Sequence, residues 1–92
     1  KTTAEFEGWL KALKDRQAVA RIRIRLDRLA LGNAGQHRNL KAGVVEMKID
    51  FGPGYRVYFT ERNGEVVILL CGGTKKNQSA DIALAEKMAK EL

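Results

Sequence analysis

Cysteine, histidine and proline each occur only once in this sequence, and these shortages exclude several classes of protein. Cys71 alone cannot form an internal disulfide, and one cysteine with one histidine cannot supply the four ligands of a structural zinc site. A Ser-His-Asp triad would require His37, which lies in a glycine-rich stretch well away from Ser79. The sequence therefore argues against a disulfide scaffold, a zinc domain and a serine hydrolase.

Long apolar runs are also absent. The longest extends from Val66 to Cys71, whereas a membrane-spanning helix needs about 20 apolar residues. No basic leader followed by an apolar segment opens the chain, which starts at Lys1 rather than at methionine. We therefore expect a cytoplasmic protein with no membrane partner, and a sequence from which some N-terminal residues are missing.

Positive charge is abundant for a chain of this size. Among 92 residues, 17 lysines and arginines outnumber 11 aspartates and glutamates, which gives a net charge of +6. The length suits one domain over residues 1–92, and 45% hydrophobic residues indicate a globular chain. The charge favours an anionic partner, such as nucleic acid or an acidic protein segment.

The first third of the sequence has the apolar spacing of two helices. Thr2 and Glu5 have the spacing of a capping box, which predicts a helix over about 4–14. Asp15 is suited to cap a second helix over about 16–31, because its carboxylate can accept hydrogen bonds from the first backbone N–H groups. A link of one or two residues would make the pair an antiparallel hairpin.

Arg21, Arg25 and Arg28 lie on one side of the second predicted helix. Their spacing of four and three residues forms a stripe, and charged stripes of this kind are usually solvated helix surfaces. The functional alternative is a stripe that follows the phosphates of a nucleic acid. The sequence leaves both interpretations open.

From residue 44 onward the apolar period changes to two, which indicates strands. The first, over about 44–51, ends at Gly52-Pro53-Gly54, and the next runs from Tyr55 to Glu61. Asn63-Gly64 is a strong hairpin signal, and the nearly wholly apolar segment 65–71 is typical of a central strand.

A flexible basic loop is predicted over 72–78, followed by a helix that Ser79 caps and that ends near Leu92. The element order is then two helices, three strands and one helix. This order predicts an α+β fold in which a helical hairpin packs on a small antiparallel sheet with a C-terminal helix.

Tight turns would fix which side chains oppose each other. A three-residue loop at 52–54 would place Asp50 opposite Arg56 and Lys48 opposite Tyr58. A two-residue turn at Asn63-Gly64 would place Arg62 opposite Glu65, Phe59 opposite Ile68 and Arg56 opposite Cys71. One face of the sheet is then apolar and receives the helical hairpin, with Met47, Ile49, Phe51, Val57, Phe59, Ile68 and Leu70 on it.

The opposite face mixes charge with an aromatic ring, and two interpretations compete for it. In the first, Asp50 and Arg56 form a cross-strand ion pair and their neighbours are solvated strand residues. In the second, the face is an RNA groove in which Tyr58 stacks on a base, while Lys48, Arg56 and the Lys75-Lys76 loop contact phosphates.

The chain resembles the RelE/ParE superfamily of bacterial toxins, most closely its HigB-like, phage Gp49-like addiction-module killer branch. The similarity is densest in the strand-turn-strand block from Val45 to Phe59, whose Phe-Gly-Pro-Gly-Tyr-Arg-Val-Tyr core is specific to this branch. It begins at Glu5 to Leu10, continues through Leu31 to Asn33, and resumes over Leu70 to Lys76 and Gln78, followed by Asp81-Ile82. Family members usually have a short strand before the first helix, which we expect to be missing here.

The resemblance implies the toxin of a type II toxin–antitoxin pair that cleaves mRNA on the ribosome. In such enzymes the ribose 2′-hydroxyl is the nucleophile, and no metal or other cofactor is required. The resemblance assigns Arg56 to the scissile phosphate, Lys48 to a basic strand position, and Lys76, or Lys75, to the basic position after the last strand. The remaining residues expected to contact RNA are Tyr58, Lys75, Gln78, Arg38 and Lys41.

Two departures leave the general acid and base unassigned. RelE has a catalytic tyrosine in its C-terminal segment where Ile82 or its neighbours stand here, and His37 matches no family histidine. Lys48 could act as the base if nearby cations lowered its pKa, which Glu46 and Asp50 would oppose. The alternatives are a ParE-like poison that binds DNA gyrase and a non-catalytic basic module that binds RNA or protein.

The resemblance also implies a set of partners. These are a cognate antitoxin with a helix-turn-helix domain, mRNA on the ribosome, and DNA only indirectly through the antitoxin.

Overall fold

Two helices, four strands and a third helix follow one another in the computed structural model, which describes residues 1–64 and 66–92. The helices are α1 (Ala4–Ala12), α2 (Arg16–Ala30) and α3 (Gln78–Lys90), and the strands are β1 (His37–Asn39), β2 (Val44–Ile49), β3 (Tyr55–Arg62) and β4 (Val66–Thr74). The strands form one antiparallel sheet in the order β1-β2-β3-β4. The predicted α+β fold is confirmed, with β1 as a strand that the sequence did not predict.

Side-chain caps fix the start of each helix in the N-terminal hairpin. The carboxylate of Asp15 accepts hydrogen bonds from the backbone N–H groups of Gln17 and Ala18 at 2.9 and 3.3 Å, as predicted. At α1 the cap is Thr3, whose hydroxyl oxygen accepts from Phe6 N at 3.1 Å, so the predicted cap at Thr2 is wrong. The Thr3 hydroxyl also donates to the carbonyl of Leu70 at 2.5 Å, which anchors the start of α1 to the sheet.

The residues ahead of α1 pair with the last strand. Thr2 forms a parallel bridge with Leu69, whose N–H donates to the Lys1 carbonyl at 2.9 Å. The N–H of Thr3 donates in turn to the Leu69 carbonyl at 3.2 Å. These contacts hold the start of the chain against β4 through an isolated bridge, and no strand precedes α1 among the described residues.

The pairing of β2 with β3 differs from the predicted register by two residues. Lys48 lies opposite Arg56 and Glu46 opposite Tyr58, because the connection spans residues 50–54 rather than three residues. The predicted cross-strand pair of Asp50 and Arg56 is therefore wrong. A shift of two residues keeps every side chain on its predicted face.

A β-bulge changes the pairing of β3 with β4. Tyr58 lies opposite Cys71 and Phe59 opposite Leu69, so Leu70 is the extra residue. The predicted pairs of Phe59 with Ile68 and of Arg56 with Cys71 are wrong. Arg62 pairs with Val66, and its predicted partner Glu65 lies outside the described residues. Asn63 and Gly64 both have positive φ, as their turn signal predicts.

The two faces of the sheet carry separate apolar clusters. On the hairpin side, buried residues from α1 and α2 pack against the sheet with Val67 and Leu69 at the margin: Phe6, Leu10, Ala18, Ile22, Leu29, Met47, Ile49, Tyr55, Val57 and Phe59. On the side of α3 the buried cluster consists of Val44, Tyr58, Leu70, Cys71, Ala85 and Ala89. Ile68 and Leu70 belong to this second side, so their predicted place under the hairpin is wrong.

The segment predicted as a flexible basic loop is regular structure. Strand β4 continues to Thr74, a single 3₁₀ turn spans Lys75–Asn77, and α3 begins at Gln78 with Asn77 rather than Ser79 at its cap position. Leu92 lies beyond α3 and is 57% exposed, so it is not part of the apolar side of that helix.

Two glycines near the end of β4 allow helices to approach the sheet on both faces. A Cβ atom at Gly72 would overlap the ring of Trp9 in α1, and one at Gly73 would overlap the carboxylate of Asp81 in α3. The helices are thereby fixed close to the strand that leads to the cleft described below. In the described part of the chain, no helix has the length and apolar character needed to cross a bilayer.

Candidate functional site

A cleft of about 390 Å³ opens on the α3 side of the sheet, at the end where β1 and β2 meet the start of β3. Strand pairing brings its walls together, because β1 opposes β2 and β2 opposes β3. The residues that line the cleft are Gln36, His37, Arg38, Glu46, Lys48, Arg56 and Gln78.

Glu46 is the buried acid of this basic cleft, with only 4% of its surface exposed. Its Oε1 accepts from Arg38 Nε at 2.7 Å, and its Oε2 accepts from the Tyr58 hydroxyl and from Gln78 Nε2, both at 2.9 Å. Burial acts to raise the pKa of Glu46, but these hydrogen bonds outweigh it, and the pKa lies below its ordinary value. Glu46 is therefore an ionised hub that fixes the side chains around it.

Arg56 lies beside this hub and is itself only 6% exposed. Its Nη1 donates to the carbonyl of Gly54 at 2.8 Å, while its Nε is 3.8 Å from Glu46 Oε2. The Nε atom is buried and has no hydrogen-bond partner among the described residues. A buried donor of this kind is costly unless a ligand satisfies it. Arg56 is thus fixed in place with hydrogen-bonding capacity left unused.

Arg38 and Lys48 supply the remaining positive charge of the cleft. Arg38 opposes Glu46 in the sheet and keeps 58% of its side chain exposed. Its hydrogen bond to Glu46 and the charge of that carboxylate raise the pKa of Arg38 above its ordinary value. Lys48 is half-buried and lies opposite Arg56. Three cations therefore line the cleft, and two of them, Arg38 and Arg56, form ion pairs with the buried Glu46 carboxylate.

Tyr58 lies beneath the cleft rather than on its surface. Its side chain has no exposed area and belongs to the apolar cluster under α3. Burial, together with the hydrogen bond to Glu46, raises the pKa of Tyr58 far above its ordinary value, so the hydroxyl stays protonated and donates. A base cannot stack on a ring with no exposed surface, so the predicted stacking platform at Tyr58 is wrong.

The cleft contains some of the predicted site residues and not others. Lys48, Arg56, Arg38 and Gln78 all line it. Lys41 lies in an exposed turn before β2, and Lys75 and Lys76 lie exposed on the 3₁₀ turn before α3. These three lysines do not line the cleft, although the N–H of Lys75 donates to the Gly54 carbonyl, which also accepts from Arg56.

Three cleft residues were not predicted as part of the site: Gln36, His37 and Glu46. Strand β1 is short, exposed and without apolar alternation, so nothing in the sequence placed Gln36 and His37 beside β2. The alternation of side chains along the strand does place Glu46 on the same face as Lys48, and this is the sequence signal from which Glu46 could have been assigned to the site. His37 lies opposite Met47, and its Nδ1 donates to the Gly35 carbonyl at 2.7 Å.

Comparisons with known proteins identify a family and a relative of the chain. A family model described as phage-derived protein Gp49-like (DUF891) matches residues 8–91, a span that includes every residue of the cleft. A protein of Haemophilus influenzae named only as uncharacterized is 48% identical over 92 residues, which is 100% of this chain and 93% of that relative. No solved structure matches the chain.

Proposed function

The chain belongs to the Gp49-like family of phage-derived proteins, an addiction-module toxin family related to RelE and HigB; from this we propose that it cleaves mRNA on the ribosome as the toxin of a type II toxin–antitoxin system. In this proposal residues 1–92 act as one toxin domain in the cytoplasm. Its partners are a cognate antitoxin of the helix-turn-helix type and ribosome-bound mRNA, and it meets DNA only through the antitoxin.

The convergence of Arg38, Lys48 and Arg56 on the cleft that contains Glu46 is the observation that carries the proposal. Attack of a ribose 2′-oxygen on the adjacent phosphorus would form a 2′,3′-cyclic phosphate and break the bond to the 5′-oxygen of the next nucleotide, while the 2′-hydroxyl loses a proton and the 5′-oxygen gains one. The transition state carries more negative charge on the phosphoryl oxygens than the ground state does. Fixed cations stabilise that charge at little reorganisation cost.

Arg56 is the residue best suited to contact the scissile phosphate. It lines the cleft, and its guanidinium is held in place by Gly54 and Glu46. Lys48 lies across the strand pair and would contact a second oxygen of the same phosphate. Gln78 and Arg38 border the cleft on either side of Glu46 and would bind the flanking nucleotides.

The three lysines outside the cleft would bind RNA away from the scissile phosphate. Lys75 and Lys76 precede Gln78 on an exposed turn, and Lys41 lies on another exposed turn. They would contact phosphates along the RNA strand, where exposed cations add affinity without sequence preference. Lys76, which the family resemblance assigns with Lys75 to the basic position after the last strand, lies on a turn that is bonded next to Arg56, because the N–H of Lys75 and Nη1 of Arg56 donate to the same Gly54 carbonyl.

Primer extension on mRNA after induction tests the function directly. We expect the wild type to produce discrete 5′ ends on translated mRNA and Arg56→Ala to reduce cleavage by about 100-fold or more, as for loss of one group that stabilises transition-state charge. Arg23→Ala is the matched control, because Arg23 is exposed on α2 and lines no part of the cleft.

Two outcomes would count against the proposal. If Arg56→Ala arrests growth and cleaves mRNA as the wild type does, Arg56 is not at the reacting phosphate. If the wild type arrests growth with intact mRNA, a DNA-damage response and cleaved DNA, the target is gyrase rather than the ribosome.

A further inference from the structure

A second cleft, of about 320 Å³, lies on the other face of the sheet between α2 and the end of β2. It includes the arginine stripe that the sequence left with two interpretations. Its lining consists of Arg21, Ile24, Arg25, Arg28, Ile49, Asp50 and Phe51. The mRNA cleavage proposed above makes no use of these side chains.

The three arginines of the stripe differ in what they contact. Arg25 donates from Nη1 to the Lys48 carbonyl at 2.6 Å and from Nη2 to the carbonyls of Ala34 and Gln36, both at 3.1 Å. The guanidinium of Arg21 lies over the ring of Phe51, 4.3 Å from its centroid. Arg28 is exposed at the end of the stripe. The stripe therefore does not provide three free cations for successive phosphates.

Apolar groups lie among these charges. Ile24 is 50% exposed although it stands between Arg21 and Arg28 on the same side of α2. Phe51 is half-buried at the opposite wall. An exposed isoleucine offers no favourable contact to the charged backbone of a nucleic acid. It can instead pack against the apolar side of a partner helix. Ile24, Arg25 and Arg28 follow the i, i+1, i+4 spacing of one helix surface, which suits a partner helix laid along α2.

We propose that the second cleft binds an acidic amphipathic helix of the cognate antitoxin. An apolar side chain of that helix would pack against Ile24 and Phe51, and its flanking Asp or Glu residues would pair with Arg21 and Arg28. Three arginines against Asp50 leave the lining net positive, which complements such a segment. Arg21 and Arg25 are already held in place, so docking would immobilise little additional side chain.

The inference depends on membership of a toxin–antitoxin family and not on the reaction catalysed. It also connects the two clefts. Arg25 lines the second cleft and donates to the backbone carbonyl of Lys48, which lines the first. A helix bound in the second cleft would therefore contact the support of Lys48 without covering Arg56.

Co-purification with the small protein encoded beside this chain's gene tests the proposal. Both full-length proteins are co-expressed, and the affinity of the purified pair is measured by calorimetry. We expect Ile24→Asp and Arg28→Glu each to weaken binding at least about tenfold, because each places a negative charge against an acidic helix. Arg23→Glu makes the same charge change on the same helix outside the cleft and should leave the affinity within about twofold.

The possible results separate the proposal from its rivals. If the neighbouring protein does not bind, or binds both cleft variants as tightly as wild type, the proposal is wrong. If only Arg38→Glu weakens binding, the partner occupies the first cleft. If Arg28→Glu spares the complex but abolishes co-sedimentation with ribosomes, the stripe binds RNA. Thermal melts confirm folding of each variant, and the measurement does not depend on mRNA cleavage.

Discussion

The hydroxyl of Tyr58 donates to the carboxylate of Glu46 at 2.9 Å from a ring that has no exposed surface. A polar contact between two strands thus joins the apolar cluster under α3 to the floor of the first cleft. The consequence is that side chains in the cleft and side chains in the core share one hydrogen-bonded network.

Replacing Tyr58 by phenylalanine should destabilise the fold. The change removes the hydrogen bond to an ionised carboxylate and keeps the ring, and hydrogen bonds to charged groups contribute about 1.5–3 kcal/mol. We expect urea unfolding to show a loss of that size. Tyr55→Phe is the control, because Tyr55 is also buried but its hydroxyl bonds to no described residue. Equal losses in the two variants would contradict the prediction.

Replacing Glu46 by glutamine should change the response of the fold to acid. The pKa of Glu46 is lowered in the folded state, so its ionised form contributes stability that is fully present above the ordinary glutamate range. That contribution is lost as the pH falls through the lowered pKa. At neutral pH we expect Glu46→Gln to cost about 3 kcal/mol, because Arg38 and Arg56 lose their counter-charge.

Urea unfolding between pH 7 and pH 3 measures this effect. The wild type should lose stability more steeply than Glu46→Gln on the acid side, so that the two curves approach each other. Glu61→Gln is the control, because Glu61 is exposed on β3. A gap between wild type and Glu46→Gln that stays constant over this range would show that Glu46 is not the group responsible.

Replacing Arg25 by lysine should loosen the wall of the first cleft. Lysine cannot reproduce the forked set of bonds that Arg25 makes to the carbonyls of Lys48, Ala34 and Gln36. We expect amide hydrogen exchange to accelerate at Lys48, whose N–H donates to the Gln36 carbonyl. Arg28→Lys should leave that amide unchanged. Unaltered exchange in Arg25→Lys would mean that strand pairing alone holds the wall.

Adding a methyl group at Gly73 should be costly. The new Cβ would overlap the carboxylate of Asp81, and overpacking of this kind typically costs about 1–3 kcal/mol. Gly8→Ala provides the contrast, because no atom lies within 4 Å of a Cβ there and alanine favours the helix by about 0.5–1 kcal/mol. Thermal melts should therefore shift in opposite directions, and Asp81→Ala should partly rescue Gly73→Ala.

The sequence predicted the helices, and the sheet face on which most side chains lie, better than it predicted which strand residues oppose each other. The cap at Asp15 followed from local chemistry alone, whereas the choice of Thr3 over Thr2 depended on a tertiary bond to Leu70. Lys48 and Arg56 were placed on one face correctly despite a register error, because that error was two residues. The bulge at Leu70 shifts the pairing by one residue, and Ile68 therefore lies on the face opposite to the predicted one.

The candidate site was predictable where alternation alone decides it. Arg56, Lys48 and Glu46 share a face for that reason, but the burial of Tyr58 depends on α3 packing over it, which no local pattern encodes. Strand β1 has three exposed residues and forms only by pairing with β2. The cleft wall that it supplies therefore depends on tertiary structure.

Gly72 and Gly73 leave β4 without a side chain at the place where α1 and α3 contact it. Trp9 presses on one side and Asp81 on the other, with only backbone between them. The two helices therefore contact the backbone of β4 directly, and the thickness of that backbone sets their separation across the sheet. Gln78 begins α3 and hydrogen-bonds Glu46, so the close approach of α3 to β4 also positions a side chain at the floor of the first cleft.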